Sequence, residues 1–257
     1  MSIRLQPAAL QPGGLSPIAV LDPDPGRTEW ADLGWPGLDP SRPCLDIFDF
    51  DHSGSVNSSG GTDPIGNRFR EVEHALEAVA AWCVSARPKA AIIHFDQPSV
   101  GNTPVVPLHS NRSLRSLKVA LRVPSDALGS SDLGPSLDEA ERIAAAHPDH
   151  DVRFTILSDF ELTDLDSSAV FARLAGFPGK IHAVVLNAEP PNDLSGENIT
   201  ITRVQYEDPP GALAAAIHRS LTATRRGRRL SAVHADRTRP SIPPLSPGFE
   251  TARGSRS

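Results

Sequence analysis

Cys44-Leu45-Asp46-Ile47-Phe48-Asp49-Phe50-Asp51-His52-Ser53-Gly54-Ser55 decides how the chain is read. Leu45, Ile47, Phe48 and Phe50 make a nearly continuous apolar run, the pattern of a strand buried on both faces of a parallel sheet. The run ends in a polar loop. There Asp51, Ser53 and Ser55 offer three hard oxygens within five residues, donors suited to Mg²⁺, Ca²⁺ or Mn²⁺ rather than to soft metals.

Working outward, apolar strands alternate with amphipathic helices. After the loop at 57–63, Phe69, Val72, Leu76, Val79, Ala80 and Val84 recur at three- and four-residue steps, predicting a helix over 65–85 that Pro64 opens and Arg87-Pro88 ends. Residues 90–96 read as a second buried strand. Val105-Val106-Pro107-Leu108 reads as a short edge strand, because proline cannot donate to a central ladder. Helices are expected at 111–121, from Pro135 or Ser136 through Ala144, at 167–174 and at 212–221. Strands are expected at 152–157, 181–186 and 199–204. This alternation predicts an α/β fold with a central, mostly parallel six-stranded sheet and helices on both faces.

The ends differ from the middle. Residues 1–42 read as a Pro- and Gly-rich arm, in which Pro17–Leu21 could add an edge strand and Trp30 and Trp35 could pin the arm to the domain. Residues 43–222 are the expected domain. Residues 223–257 are expected to form a basic, Pro-rich, disordered tail. The 257-residue chain carries a formal charge of -6, yet eight Arg face only Asp236 and Glu250 from Thr222 onward. A net negative chain gives no general reason to expect nucleic-acid binding, except through that Arg-rich tail. No stretch approaches the ~18 apolar residues of a membrane span, and no membrane partner is expected. Cys44 and Cys83 are too few for a disulfide framework, which favours a reduced compartment and a cytoplasmic location.

In an open parallel sheet, ligands bind beyond the carboxyl ends of the strands. Asp51 and Asp159 both follow apolar strands and precede loops. Two carboxylates meeting in a poorly solvated crevice repel one another, and a divalent cation resolves that repulsion.

Three segments together resemble the metal-ion-dependent adhesion site (MIDAS) of von Willebrand factor A (vWA) domains, a family with a Rossmann-like fold. Asp51-x-Ser53-x-Ser55 matches the first loop of that site. Gly129-Ser130-Ser131-Asp132-Leu133, followed by a helix, resembles the second, with Ser131 where the family usually has Thr. Ser158-Asp159 ending an apolar strand resembles the third, with Phe160 where Gly is usual. The resemblance covers about residues 43–222. It implies a cation held by Asp51, Ser53, Ser55, Ser131 and Asp159, with Mg²⁺ first and Mn²⁺ or Ca²⁺ as relatives. It further implies a protein partner whose acidic residue completes the coordination, an adaptor or scaffold role, and no catalysis. Loops at about 56–63, 97–104, 126–134 and 160–166 would choose the partner.

Asp49-Phe50-Asp51-His52-Ser53 also resembles the opening motif of haloacid-dehalogenase-like phosphatases. That resemblance implies Asp49 as nucleophile, Asp51 as general acid/base and Mg²⁺ as cofactor, with Asp159 and Asp164 as late acids. The family's lysine should precede those acids, whereas Lys180 follows them, and the 129–133 loop is left unexplained. Of the other polar residues, Asp49 would pair with a helix or support the site from behind, and Asp96 would serve as a turn or cap carboxylate. Glu161 would line the rim or face solvent. His52 would point outward, and His94 would be a satisfied core histidine.

Overall fold

The computed structural model describes residues 32–63, 65–96 and 99–231. The strands are β1 (Gly34–Trp35), β2 (Cys44–Phe50), β3 (Lys89–His94), β4 (Val106–Pro107), β5 (Asp151–Ser158), β6 (Lys180–Leu186), β7 (Ile199–Val204) and β8 (Arg229–Leu230). The helices, numbered here in chain order, are α1 (Gly54–Asn57), α2 (Asn67–Ala80), α3 (Asn111–Ala120), α4 (Gly134–Ala145), α5 (Ser167–Ala175) and α6 (Ala212–Leu221).

Six strands form one sheet in the order β4-β3-β2-β5-β6-β7. Every pairing is parallel except β3 with the edge strand β4. From β2 the chain moves outward to β3 and β4, then returns to lay β5 on the other side of β2. The order therefore reverses between β2 and β5, and a crevice opens beyond their carboxyl ends at such a switch point.

Strand pleat sends alternate side chains of β2 to opposite faces. Phe48 and Phe50 pack with α2, α3 and α6 on one face, and Leu45 and Ile47 pack with α4 and α5 on the other. Both faces are thus covered. Asp49 and Asp51 share the α4 side with Ile47, so the acids fall on one side of the strand.

Buried charges tie the layers together. Arg153 on β5 donates through Nε to Asp46 Oδ1 at 2.6 Å, and its guanidinium also donates to the carbonyls of Ser220 and Leu221 at the end of α6. Glu71 on α2 accepts from Gly211 N at 3.0 Å and Ala214 N at 2.6 Å, satisfying first-turn amides of α6.

The expected domain boundary at 222 needs correction. β1 pairs antiparallel with β8, and Leu38 bridges Arg226, so residues 34–38 and 226–230 close on one another. Arg225 is buried against Asp39 at 2.8 Å and donates to Gly37 O, which makes it part of the folded body rather than of a tail. A charged run reads as solvated when its buried partner lies almost 190 residues away in sequence. Trp35 does pin the arm, edge-on to Trp82 at 6.3 Å. The expected strand at Pro17–Leu21, the role of Trp30 and the remainder of the expected tail lie outside the described residues. Among the described residues no helix is long and apolar enough to cross a membrane.

Candidate metal centre

The register of the sheet builds the site. Phe50 pairs with Leu157 and with His94, so the next residues, Asp51, Ser158 and Phe95, reach the carboxyl edge together. Asp51 N continues the ladder to Leu157 O at 3.0 Å. The chain then turns through the single helical turn α1.

Asp51 is buried and doubly held. Its Oδ1 accepts from Ser53 N at 2.8 Å, and its Oδ2 accepts from Ser158 Oγ at 2.6 Å. Ser53 Oγ lies 3.0 Å from Ser55 Oγ. Ser55 is exposed at the mouth while Asp51, Ser53, Ser131 and Asp159 are buried beneath it. Burial pushes the Asp51 carboxyl up to about 6. The hydrogen bonds from Ser158 and Ser53 oppose that rise, and the charge of Asp159 adds to it. The two carboxylates therefore sense one another, as a shared crevice requires.

Asp159 Oδ1 accepts from Glu161 N at 3.1 Å, whereas Oδ2 is buried with no hydrogen-bond partner. A carboxylate oxygen in that state is costly unless something else meets it. Ser131 is joined to the other segments through its loop. Gly54 N donates to Gly129 O at 3.3 Å, Ser131 N donates to Thr163 Oγ1 at 3.0 Å, and Thr163 N donates to Ser131 O at 3.3 Å. The five candidate donors, two carboxylates and three hydroxyls, are all oxygen, the chemistry that would suit a hard divalent cation. Among the described residues no three His, Cys, Asp or Glu side chains converge to hold a metal, so the hydroxyls are essential to any such site.

Several supporting residues were not among the expected ligands. Ser158 appears in the sequence only as the residue before Asp159, yet it bridges β5 to Asp51. Asp96, expected as a turn carboxylate, accepts from Gly129 N at 3.1 Å and from Ser130 Oγ, fastening the loop that carries Ser131 to the end of β3. Asp164 accepts from Leu133 N and Gly134 N, both at 2.9 Å, and so caps α4 behind Ser131. Arg68 is fully buried and donates to Asp51 O at 2.9 Å, Asn57 Oδ1 at 2.7 Å and Asp63 Oδ2 at 2.5 Å, clamping the first loop from behind. Gly61 sits where a Cβ would lie 2.6 Å from Ser55 O, so only glycine lets the 56–63 loop pass there.

Two expectations for histidine are corrected. His52 does not point outward: it is buried, its Nδ1 lies 3.7 Å from Asp96 Oδ2, and its ring packs against His94. His94 is buried but not satisfied, since neither ring nitrogen has a hydrogen-bond partner, and burial drives its pKa down to about 4.

Asp49 behaves as one of its expected roles. Ser136 Oγ, at the start of α4, donates to Asp49 Oδ2 at 2.6 Å, and burial raises the carboxyl well above the usual range. A fully buried acid already hydrogen-bonded beneath a helix is poorly placed to attack a phosphate. Asp164, one of the two late acids of the phosphatase reading, is occupied by the amides of Leu133 and Gly134. Glu161 faces solvent at the rim.

The overall architecture matches solved structures of one kind. A von Willebrand factor type A protein from Catenulispora acidiphila aligns with 75% of this chain at a TM-score of 0.52 and 15% identity. The fold is that of a vWA domain. The pilus adhesin SpaC from Lactobacillus rhamnosus GG aligns with 73% of the chain at a TM-score of 0.56 and 11% identity. The vWA-like chain spans 49% of the first structure and 31% of the second. No family model matches the sequence, and no curated protein matches it at a significant level.

Proposed function

We propose that this vWA domain is a metal-dependent protein-binding module. Asp51, Ser53, Ser55, Ser131 and Asp159 hold a divalent cation, directly or through water. Mg²⁺ is the first choice, with Mn²⁺ and Ca²⁺ as alternatives of the same hard character. The cation supplies an electrophilic anchor at the mouth of the crevice. The protein's residues do the rest: Ser158 and Ser53 orient Asp51, Asp96 and Asp164 hold the Ser131 loop, and Arg68 fixes the backbone of Asp51.

The observation that carries this reading is Asp159 Oδ2, a buried carboxylate oxygen without a partner beside a second carboxylate. A partner's acidic side chain would complete the ion's coordination, and the loops at 56–63, 97–104, 126–134 and 160–166 would select that partner. The printed description of SpaC as a pilus adhesin is in keeping with a binding role for this fold. Free, buried thiols at Cys44 and Cys83 agree with an adaptor working in a reduced compartment such as the cytoplasm.

Thermal unfolding tests the reading. Millimolar Mg²⁺ or Mn²⁺ should raise the melting temperature by mass action, a chelator should reverse the rise, and Asp159→Asn should abolish it. An equal rise in Asp159→Asn would remove Asp159 from the site.

A further inference from the structure

We propose that the end of the molecule opposite the candidate metal centre docks peripherally on an anionic lipid surface. This goes beyond the absence of a spanning helix and does not depend on the metal reading.

The surface is built by the ribbon of β1 and β8. It lies at the amino end of β2, where Cys44 Sγ is 3.4 Å from Thr224 Oγ1. Leu38 and Arg226 exchange backbone hydrogen bonds at 3.0 and 3.3 Å, Trp35 pairs with Arg229, and Arg228 Nη1 donates to Arg219 O at 3.2 Å. Trp82 packs edge-on against Trp35. Three large apolar side chains in this region are exposed: Leu38 at 63%, Trp82 at 56% and Val84 at 91%. Around them Arg219, Arg226, Arg228 and Arg229 are exposed.

Nearby carboxylates are mostly spent on other partners. Asp39 pairs with Arg225, Asp46 with Arg153, and Asp151 with Arg42. Asp32, which accepts from Gly34 N, is the exposed acid of the ribbon. The local field is therefore positive on a chain whose formal charge is -6.

Charge and apolar character together select the occupant. Nucleic-acid binding draws mainly on phosphate neutralisation, and it has no use for exposed Leu38 and Val84. An anionic bilayer uses both kinds of group. Indole and aliphatic side chains enter the headgroup boundary, while guanidinium groups stay at its charged surface.

The test is co-sedimentation of the full chain, in chelator, with phosphatidylcholine vesicles and with vesicles containing about one-third phosphatidylserine. Binding is expected only to the anionic vesicles. Arg228→Ser with Arg229→Ser should weaken it about 25-fold, from the roughly fivefold contribution of each surface arginine. Leu38→Ser and Trp82→Ala should each weaken it as well. Leu38 is exposed, so its substitution leaves the fold intact even if loss of Trp82 disturbs Trp35. No binding to anionic vesicles would overturn the proposal. So would vesicle binding indifferent to Leu38→Ser and Trp82→Ala and competed by a single-stranded oligonucleotide, which would mark a general polyanion site.

Discussion

Ser158 Oγ stands between Asp51 and Phe160: it donates to Asp51 Oδ2 at 2.6 Å and accepts from Phe160 N at 2.8 Å. One hydroxyl thus couples the first loop of the candidate centre to the third. Ser158→Ala should leave the strand in place but free the Asp51 carboxylate to rotate. Loss of an outer partner of this kind costs metal affinity by about 10- to 100-fold. Calorimetric titration of the variant with Mn²⁺ measures it, and unchanged affinity would mean that Ser53 N alone orients Asp51.

Phe160 is the second departure from the vWA pattern, and the structure shows its cost. Its φ is 60°, the left-handed region where glycine is at ease, yet its ring is buried among the residues packed between the sheet and α4 and α5. A bulky residue there carries strain of about 1–3 kcal/mol, while burying Phe instead of leaving a void gains about 3–5 kcal/mol. Packing wins. Phe160→Gly should therefore destabilise the protein by up to roughly 4 kcal/mol in denaturant unfolding. A stabilised variant would show that strain outweighs packing.

Proton linkage follows from Asp51. Its carboxyl is raised to about 6 in the fold, chiefly by burial, from an ordinary value of 3.8. In the metal-free protein, this group's stabilisation is full below pH 3.8 and is lost as pH rises through 6. A cation needs the ionised form. Binding near pH 6 should therefore release a fraction of a proton per ion, and binding at pH 8 should release none from this group. Titrations in two buffers of different ionisation enthalpy read that release directly. His94 runs the other way: its pKa is lowered to about 4, so its contribution is present above 6.5 and lost as pH falls through 4.

The ribbon at the opposite end should matter to stability. Arg225→Ala would strand Asp39 in a buried setting, a loss of about 3–5 kcal/mol when one partner of a buried pair is removed. Ending the chain at residue 222 should destabilise it at least as much. Unchanged denaturation midpoints in both would return residues 223–231 to the role of a tail.

What the sequence revealed depended on how local the signal was. The nearly continuous apolar run of 44–50 and the 3.6-residue patterns of 67–80 and 212–221 were legible because burial in a sheet or on a helix face imposes them within a few residues. The three loops were legible as separate motifs for the same reason. Their union came only from the family resemblance, because physically it rests on the register that sets Phe50 beside Leu157 and on contacts such as Ser130 with Asp96, which join residues far apart in the chain. The inward turn of His52 and the burial of Arg225 escaped for a similar reason. A polar residue in a polar loop gives no sign that its pocket is supplied from elsewhere.

The measurement that bears most directly on the centre is calorimetric titration of the wild type, Asp51→Ala and Asp159→Ala with Mg²⁺ and Mn²⁺. The account predicts saturable one-site binding in the wild type, lost in both variants, with each variant still cooperatively folded. Silence in the wild type at millimolar metal, or binding that survives in both variants, would contradict it.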